Sequence, residues 1–191
     1  ARERGIHSNW STNEKTAMEE ALGMSFAGKR ALVCMKHVGM NVAADAFVNS
    51  AMTGANGGLV VVAADDPSMH SSQNEQDSRF YGKFALVPTF EPSTQQEAYE
   101  MVQAAFDFSE KYRIPVLMRL TTRMAHSRAM VEPREARSEN SLAYPARTRQ
   151  WVLMPGNSRV RYEALLADYA RFEEEAAASP FNRYADAEDK S

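Results

Sequence analysis

The sequence predicts an α/β fold of three layers, built on a mostly parallel sheet. Three observations predict it. Leu59-Val60-Val61-Val62-Ala63-Ala64 is apolar and β-branched without alternation, the pattern of a strand covered on both faces. Pro115 to Leu120 reads as another strand further along, ending in polar residues. Stretches with apolar residues at helical spacing separate these runs, and strand–helix alternation at such intervals argues for right-handed βαβ units.

The elements follow in order. Ile6 to Trp10 reads as a short strand of mixed polarity, and Ser11-Thr12-Asn13 as a turn whose Asn13 or Thr12 caps a helix. Ala17, Met18, Ala21, Leu22 and Phe26 carry that helix, and Gly28 stops it. Ala31 to Met35 is a short apolar run, expected to be a strand buried on both faces. Lys36 to Asn41 reads as a polar loop, and Val42 to Thr53 as a helix closed by Gly54 and the Gly57-Gly58 pair. The Leu59–Ala64 strand empties into a second, longer polar loop from Asp65 to Gln76. Ala85 to Phe90 is a further strand, broken by Pro88. Ser93-Thr94-Gln95-Gln96 has capping-box spacing, and Ala98, Met101, Val102, Ala105, Phe106, Ser109 and Tyr112 stripe the helix it starts. Pro115 to Leu120 ends in polar Thr121-Thr122-Arg123.

Past about Arg128 the character changes. Residues 131–150 carry two prolines, several arginines and little periodicity, which reads as a linker or an arm over the surface. Trp151 to Pro155 reads as a short strand. A helix from about Ser158 to Ala178 places Tyr162, Leu165, Leu166, Tyr169 and Phe172 on one face. Its Glu173-Glu174-Glu175 lies where the helix dipole disfavours acid, and Tyr184 to Ser191 reads as a frayed tail. The expected organisation is an α/β domain over 1–130, a linker over 131–150, and a short strand plus amphipathic helix over 151–191.

The 191 residues are 44% hydrophobic and 25% charged, the balance of a soluble globular domain. A formal net charge of -3 gives no general attraction for nucleic acid or an anionic membrane. No apolar run approaches the roughly 20 residues of a membrane helix, and no secretory leader is visible. One cysteine, Cys34, excludes an internal disulfide and cannot alone ligate an iron–sulfur cluster, so a reducing cytoplasm is expected. The start at Ala1 rather than Met leads to the expectation of processing, or of a piece of something larger.

In an open parallel sheet, the loops at the carboxyl ends of the strands form the ligand crevice. The unusual polar residues of this chain fall there. Glu14 opens the first helix, where an acid complements the dipole; its functional reading is a partly buried acid that trades a proton with a ligand. His37, Gly39 and Asn41 follow a strand directly, with Gly39 allowing close backbone approach and Asn41 equally able to cap the next helix. Asp65-Asp66 before Pro67-Ser68 is ordinary turn chemistry, or else a magnesium pair of a phosphoacceptor domain. The His70 to Gln76 stretch, with Gln73 and Asn74, is too rich in amide, hydroxyl and imidazole groups for a simple connector. Ser25 only loosely resembles a nucleophile elbow and reads as structural. Walker and dinucleotide-binding glycine patterns, paired zinc-ligand histidines and basic-aromatic surfaces are missing from the sequence.

Three strings carry a family resemblance: Asn13-Glu14-Lys15, the run from Lys36-His37-Val38-Gly39-Met40-Asn41 to Asp45, and the run from Ala64-Asp65-Asp66 through His70-Ser71-Ser72-Gln73-Asn74-Glu75-Gln76 to Arg79. They resemble the alpha subunit of indolepyruvate ferredoxin oxidoreductase, a thiamine-diphosphate-dependent 2-oxoacid:ferredoxin oxidoreductase. Thr121-Thr122-Arg123, His126-Ser127-Arg128, Trp151-Val152 and Ser179-Pro180-Phe181-Asn182-Arg183 fit the same pattern. The resemblance implies the pyrimidine-binding domain of that fold, with an upstream first strand lying outside this sequence. It implies that Glu14 hydrogen-bonds N1′ of the cofactor's aminopyrimidine. His37, Gly39 and Asn41 would line the cofactor, and His70, Gln73 and Asn74 would face the substrate. It further implies oxidation of aryl 2-oxo acids such as indolepyruvate to aryl-acetyl-coenzyme A, with electrons passed to ferredoxin. Magnesium, 4Fe-4S clusters, the diphosphate-binding domain and a beta subunit are expected on other segments or partners. The competing expectation is a non-catalytic α/β module that keeps the fold to bind a partner.

Overall fold

The computed structural model describes residues 2–145 and 148–183. In chain order the elements are α1 (Glu14–Phe26), β1 (Ala31–Lys36), α2 (His37–Val42), α3 (Ala44–Thr53), β2 (Leu59–Asp65), α4 (Arg79–Ala85), β3 (Thr89–Phe90), α5 (Gln95–Tyr112), β4 (Val116–Thr121), α6 (Thr122–His126) and α7 (Pro155–Ala177). The strands form one parallel sheet in the order β1-β2-β4-β3. Every crossover contains a helix, as parallel pairing requires.

Two apolar layers enclose the sheet. On one face Met18, Phe47, Ala51, Val61, Leu117 and Phe172 bring α1, α3 and α7 onto the strands. On the other, Met101 and Ala105 of α5 pack on Val60, Val62, Val116 and Met118. The three-layer prediction therefore holds. β1 departs from the expectation of burial on both faces: Ala31, Val33 and Met35 are buried while Leu32 and Cys34 are exposed. α5 covers β2 and β4 but does not extend over this edge strand, so β1 alternates.

Local chemistry explains the boundaries. Asn13 caps α1 by accepting from the Thr16 N–H at 2.9 Å. The capping box lies one residue later than its spacing suggested. Thr94 accepts from the Glu97 N–H at 3.1 Å, and the Glu97 carboxylate accepts from the Ser93 N–H at 2.7 Å. Gly28 adopts φ +89° where the chain leaves α1, a conformation that suits glycine. Ser25 is structural: its hydroxyl is buried and donates to the Gly57 carbonyl at 2.6 Å.

Several boundaries differ from the sequence reading. Ile6 to Trp10 has no strand partner. Arg79–Ala85 forms α4, which confines the expected Ala85–Phe90 strand to Thr89–Phe90. Trp151 ends a short 3-10 turn rather than starting a strand, and its indole stacks on Phe26 with ring centroids 4.1 Å apart. α7 begins at Pro155, whose missing N–H costs nothing in a first helical turn. Of its apolar stripe, Leu165 and Phe172 are buried, whereas Tyr162 and Leu166 stay exposed. Glu175, at the acidic end of α7, is held by Lys111 and by the Tyr112 hydroxyl at 2.6 Å.

The segment of residues 127–145 lacks regular structure but follows α5. The Glu132 and Arg134 N–H groups donate to Gln96 and Tyr99, and Arg137 pairs with Asp107. Asn140 then donates to Gly28 and Glu110. It is an arm fastened along one helix. The tail from Tyr184 onward lies outside the described residues.

Candidate active site

Parallel pairing brings the carboxyl ends of the strands to one edge, where Lys36 pairs with Ala64 and Asp65 with Thr121. α1 leads into β1 through a short turn. Its 13 residues span about 20 Å at 1.5 Å per residue. The six residues of β1 span about 20 Å at 3.3 Å per residue. The first residue of α1, Glu14, therefore returns to the level at which β1 ends.

There it meets Gly39. α2 begins at once after β1, and the expected Lys36–Asn41 loop is its first turns. A Cβ on Gly39 would stand 2.5 Å from Glu14 Cγ and 2.9 Å from Oε1. The missing side chain of Gly39 is the space that the half-buried Glu14 carboxyl group occupies. Alternate residues of α2 meet different neighbours because each step turns about 100°. Asn41, which is exposed, accepts from the Tyr81 hydroxyl of α4 at 2.8 Å. Burial raises the pKa of that phenol.

His37 differs from its expected place on the open face of the site. Its side chain is wholly buried, with Nε2 2.9 Å from the Asn74 carbonyl and Nδ1 3.4 Å from that of Ala64. Both ring nitrogens face backbone oxygens, so neither is free for a ligand. His70, Gln73 and Asn74 are exposed on the loop that follows β2. Ser68 and Met69, just before them, hold φ values of +66° and +51°, where side chains are strained. The strain is opposed by the Met69 N–H donating to Asp66 O and the Ser68 N–H donating to the Glu75 carboxylate, each at 3.0 Å.

The sequence reading of Asp65-Asp66 as a turn or a magnesium pair missed their main work. Asp65 is buried and accepts from Arg119 Nε at 2.6 Å and from the Ser78 N–H at 2.9 Å. Burial opposes the charge of Arg119, but Asp65 and Glu91 outweigh it and raise its pKa. Asp66 accepts from the Ser71 N–H at 2.8 Å and the Thr122 hydroxyl at 2.7 Å. These donors hold its carboxyl well below the usual carboxylate range. Arg79 does the same to Asp77 at the far end of the loop. The sequence did carry a signal for this network. Arg119 is a lone charge inside an apolar strand, and such a charge needs a partner. A phosphoacceptor role would need a free carboxylate pair, which these contacts do not leave.

Among the described residues no cluster of three His, Cys, Asp or Glu side chains could hold a metal ion. No described helix is long and apolar enough to cross a membrane. A cavity of about 630 Å³ lies apart from this edge, between α5 and the end of α7, lined by Phe90, Phe108, Lys111, Phe172 and Phe181 among others. It shares no residue with Glu14, Gly39 or the polar loop.

The chain is similar to known proteins along nearly its whole length. The family described as pyruvate flavodoxin/ferredoxin oxidoreductase, thiamine diphosphate-binding, matches residues 7–179. The indolepyruvate oxidoreductase subunit IorA of Pyrococcus horikoshii is 46% identical over 188 residues, covering 95% of this chain and 29% of that protein. The IorA subunit of Methanothermobacter marburgensis is 45% identical, covering 96% of this chain and 30% of its own length. The chain thus spans less than a third of these relatives. A solved 2-oxoglutarate:ferredoxin oxidoreductase from Magnetococcus marinus superposes with a TM-score of 0.65 at 13% identity, covering 98% of this chain and 40% of that one. That likeness speaks for the fold alone.

Proposed function

Since the chain belongs to the thiamine-diphosphate-binding family of pyruvate flavodoxin/ferredoxin oxidoreductases, we propose that it is the pyrimidine-binding part of an enzyme that oxidatively decarboxylates aryl 2-oxo acids such as indolepyruvate. The observation that carries the proposal is Glu14, set at the head of α1 and seated in the space left by Gly39. The residues would suit a pyrimidine ring: a half-buried carboxyl group at the crevice edge, seated where Gly39 has no Cβ. Glu14 would hydrogen-bond the ring nitrogen N1′ and hold or release a proton there. Thiamine diphosphate, when bound, supplies a nucleophilic carbon and an electron sink for decarboxylation.

The remaining roles fall to the rim. Gly39 would serve the cofactor by making room for Glu14, and the exposed Asn41, whose side-chain oxygen accepts from Tyr81, would turn its amide N–H₂ to the cofactor. His70, Gln73 and Asn74 would meet the substrate carboxylate and the oxyanion that develops from its keto group. The diphosphate-binding domain with its magnesium, the beta subunit, 4Fe-4S clusters, coenzyme A and ferredoxin would complete the reaction from outside this chain. A cytoplasmic setting suits a chain whose single cysteine is exposed.

The test is to purify the chain in its native assembly and measure bound thiamine diphosphate and indolepyruvate-dependent reduction of a viologen dye. We expect both, and expect Glu14→Gln to abolish reduction while the assembly stays intact. Full reduction by the Glu14→Gln assembly would refute the assignment.

A further inference from the structure

We propose that His37 is a positioning residue, whose imidazole ties the polar loop after β2 to the first turn of α2. The tie sets where His70, Gln73 and Asn74 stand relative to Glu14. The ends of the loop have their own anchors: Asp66 takes the Ser71 N–H, and Asp65 takes the Ser78 N–H. Between them, His37 provides the only described hydrogen bond that reaches residues 72–76 from another element, through Nε2 to the Asn74 carbonyl at 2.9 Å. A carbonyl only accepts, so Nε2 carries the hydrogen and donates it. Nδ1 faces the Ala64 carbonyl at the longer distance of 3.4 Å and adds little.

The placement of the tie gives it leverage. His37 and Gly39 lie two residues apart on one short helix, so the helix that seats Glu14 also fixes the middle of the loop. The ring is wholly buried, which removes competition from water and strengthens the bond. An apolar replacement would leave the Asn74 carbonyl without its donor, and the loop would then move to find water.

The proposal rests on the functional reading above for what the loop faces, but the tie itself can be measured without turnover. In the native assembly, amide hydrogen exchange of the hydrogen-bonded loop N–H groups of Ser68, Ser71 and Ser78 is compared for wild type, His37→Leu, His37→Asn and His37→Gln. The glutamine amide nitrogen can stand where Nε2 stands, whereas that of asparagine reaches only the place of Nδ1. We expect exchange about tenfold faster in the leucine and asparagine variants, with wild-type rates restored by glutamine. In the same preparations the KM for indolepyruvate should rise about tenfold and recover with glutamine, while thiamine diphosphate affinity stays within about twofold. Wild-type exchange in both leucine and asparagine variants would overturn the tie, as would glutamine behaving like leucine. If the leucine variant does not assemble, the contrast between asparagine and glutamine decides. A wild-type assembly without turnover would remove the functional reading and leave the exchange comparison to judge the tie.

Discussion

At the scale of single residues the proposed site turns on Glu14 and Gly39, and each predicts a different failure. Gly39→Ala keeps the acid but fills its seat, since the new Cβ would stand 2.5 Å from Glu14 Cγ. Glu14 can swing aside, so the expected stability cost is small, about 1–3 kcal/mol, while turnover of the assembly falls at least tenfold. Denaturant titration beside a rate measurement separates the two. Asp66 predicts a pH dependence. Its folded pKa lies below that of an unfolded aspartate, so its stabilisation is fully present above the ordinary value of about 3.9 and is lost as pH falls through the folded value. The deficit of Asp66→Asn against wild type should therefore be full at pH 7 and shrink as the pH drops below about 4. A deficit that grew toward acid would contradict the assigned contacts. Glu14 was visible in the sequence as an acid opening a capped helix, but its proposed role rested on the family resemblance. The seat was not legible, because α1 and α2 meet only in three dimensions.

At the scale of elements, the loop after β2 is an ordered structure held by a buried pair. The side chain of Asp65 is 1% exposed and that of Arg119 8%, so removing either strands a charge. Arg119→Leu is expected to cost about 3–5 kcal/mol, as for other broken buried pairs, and to free the loop ends as well. Replacing both partners, as Asp65→Asn with Arg119→Met, should recover part of that loss because no charge is stranded. Equilibrium unfolding of the singles and the double would show it, and strict additivity would refute the coupling. β1, β2, β4 and the long helices were readable from the sequence, since apolar runs and apolar stripes report burial directly. The short strands expected at Ile6, Ala85 and Trp151 were not. Nor were α2 and α4. His37 to Val42 and Arg79 to Ala85 are short, and their form is set by contacts with β1, Tyr81 and Thr89 rather than by periodicity.

At the scale of the whole molecule, the arm and α7 close the back of the domain. Trp151 lies flat on Phe26 and edge-on to Tyr144, which joins the end of the arm to the end of α1. Trp151→Ala should cost about 1–2 kcal/mol and make residues 131–145 more open to proteases, with the site itself unaffected. Limited proteolysis followed by mass spectrometry checks this, and unchanged cleavage would mean that the arm is held by its α5 contacts alone. The segment read as a linker or a surface arm because prolines and arginines give no period. Its order comes from partners on α5 that lie tens of residues away in sequence.

The matched lengths of α1 and β1 make the helix a ruler. One residue added between Glu14 and Phe26 would lift the carboxylate about 1.5 Å and swing it about 100° around the axis, out of its slot. No side-chain substitution within α1 could reverse that swing. The same residue added to the arm would be taken up as slack. Relatives of this chain should therefore vary on the exposed face of α1 but keep its count, while the arm drifts in both composition and length.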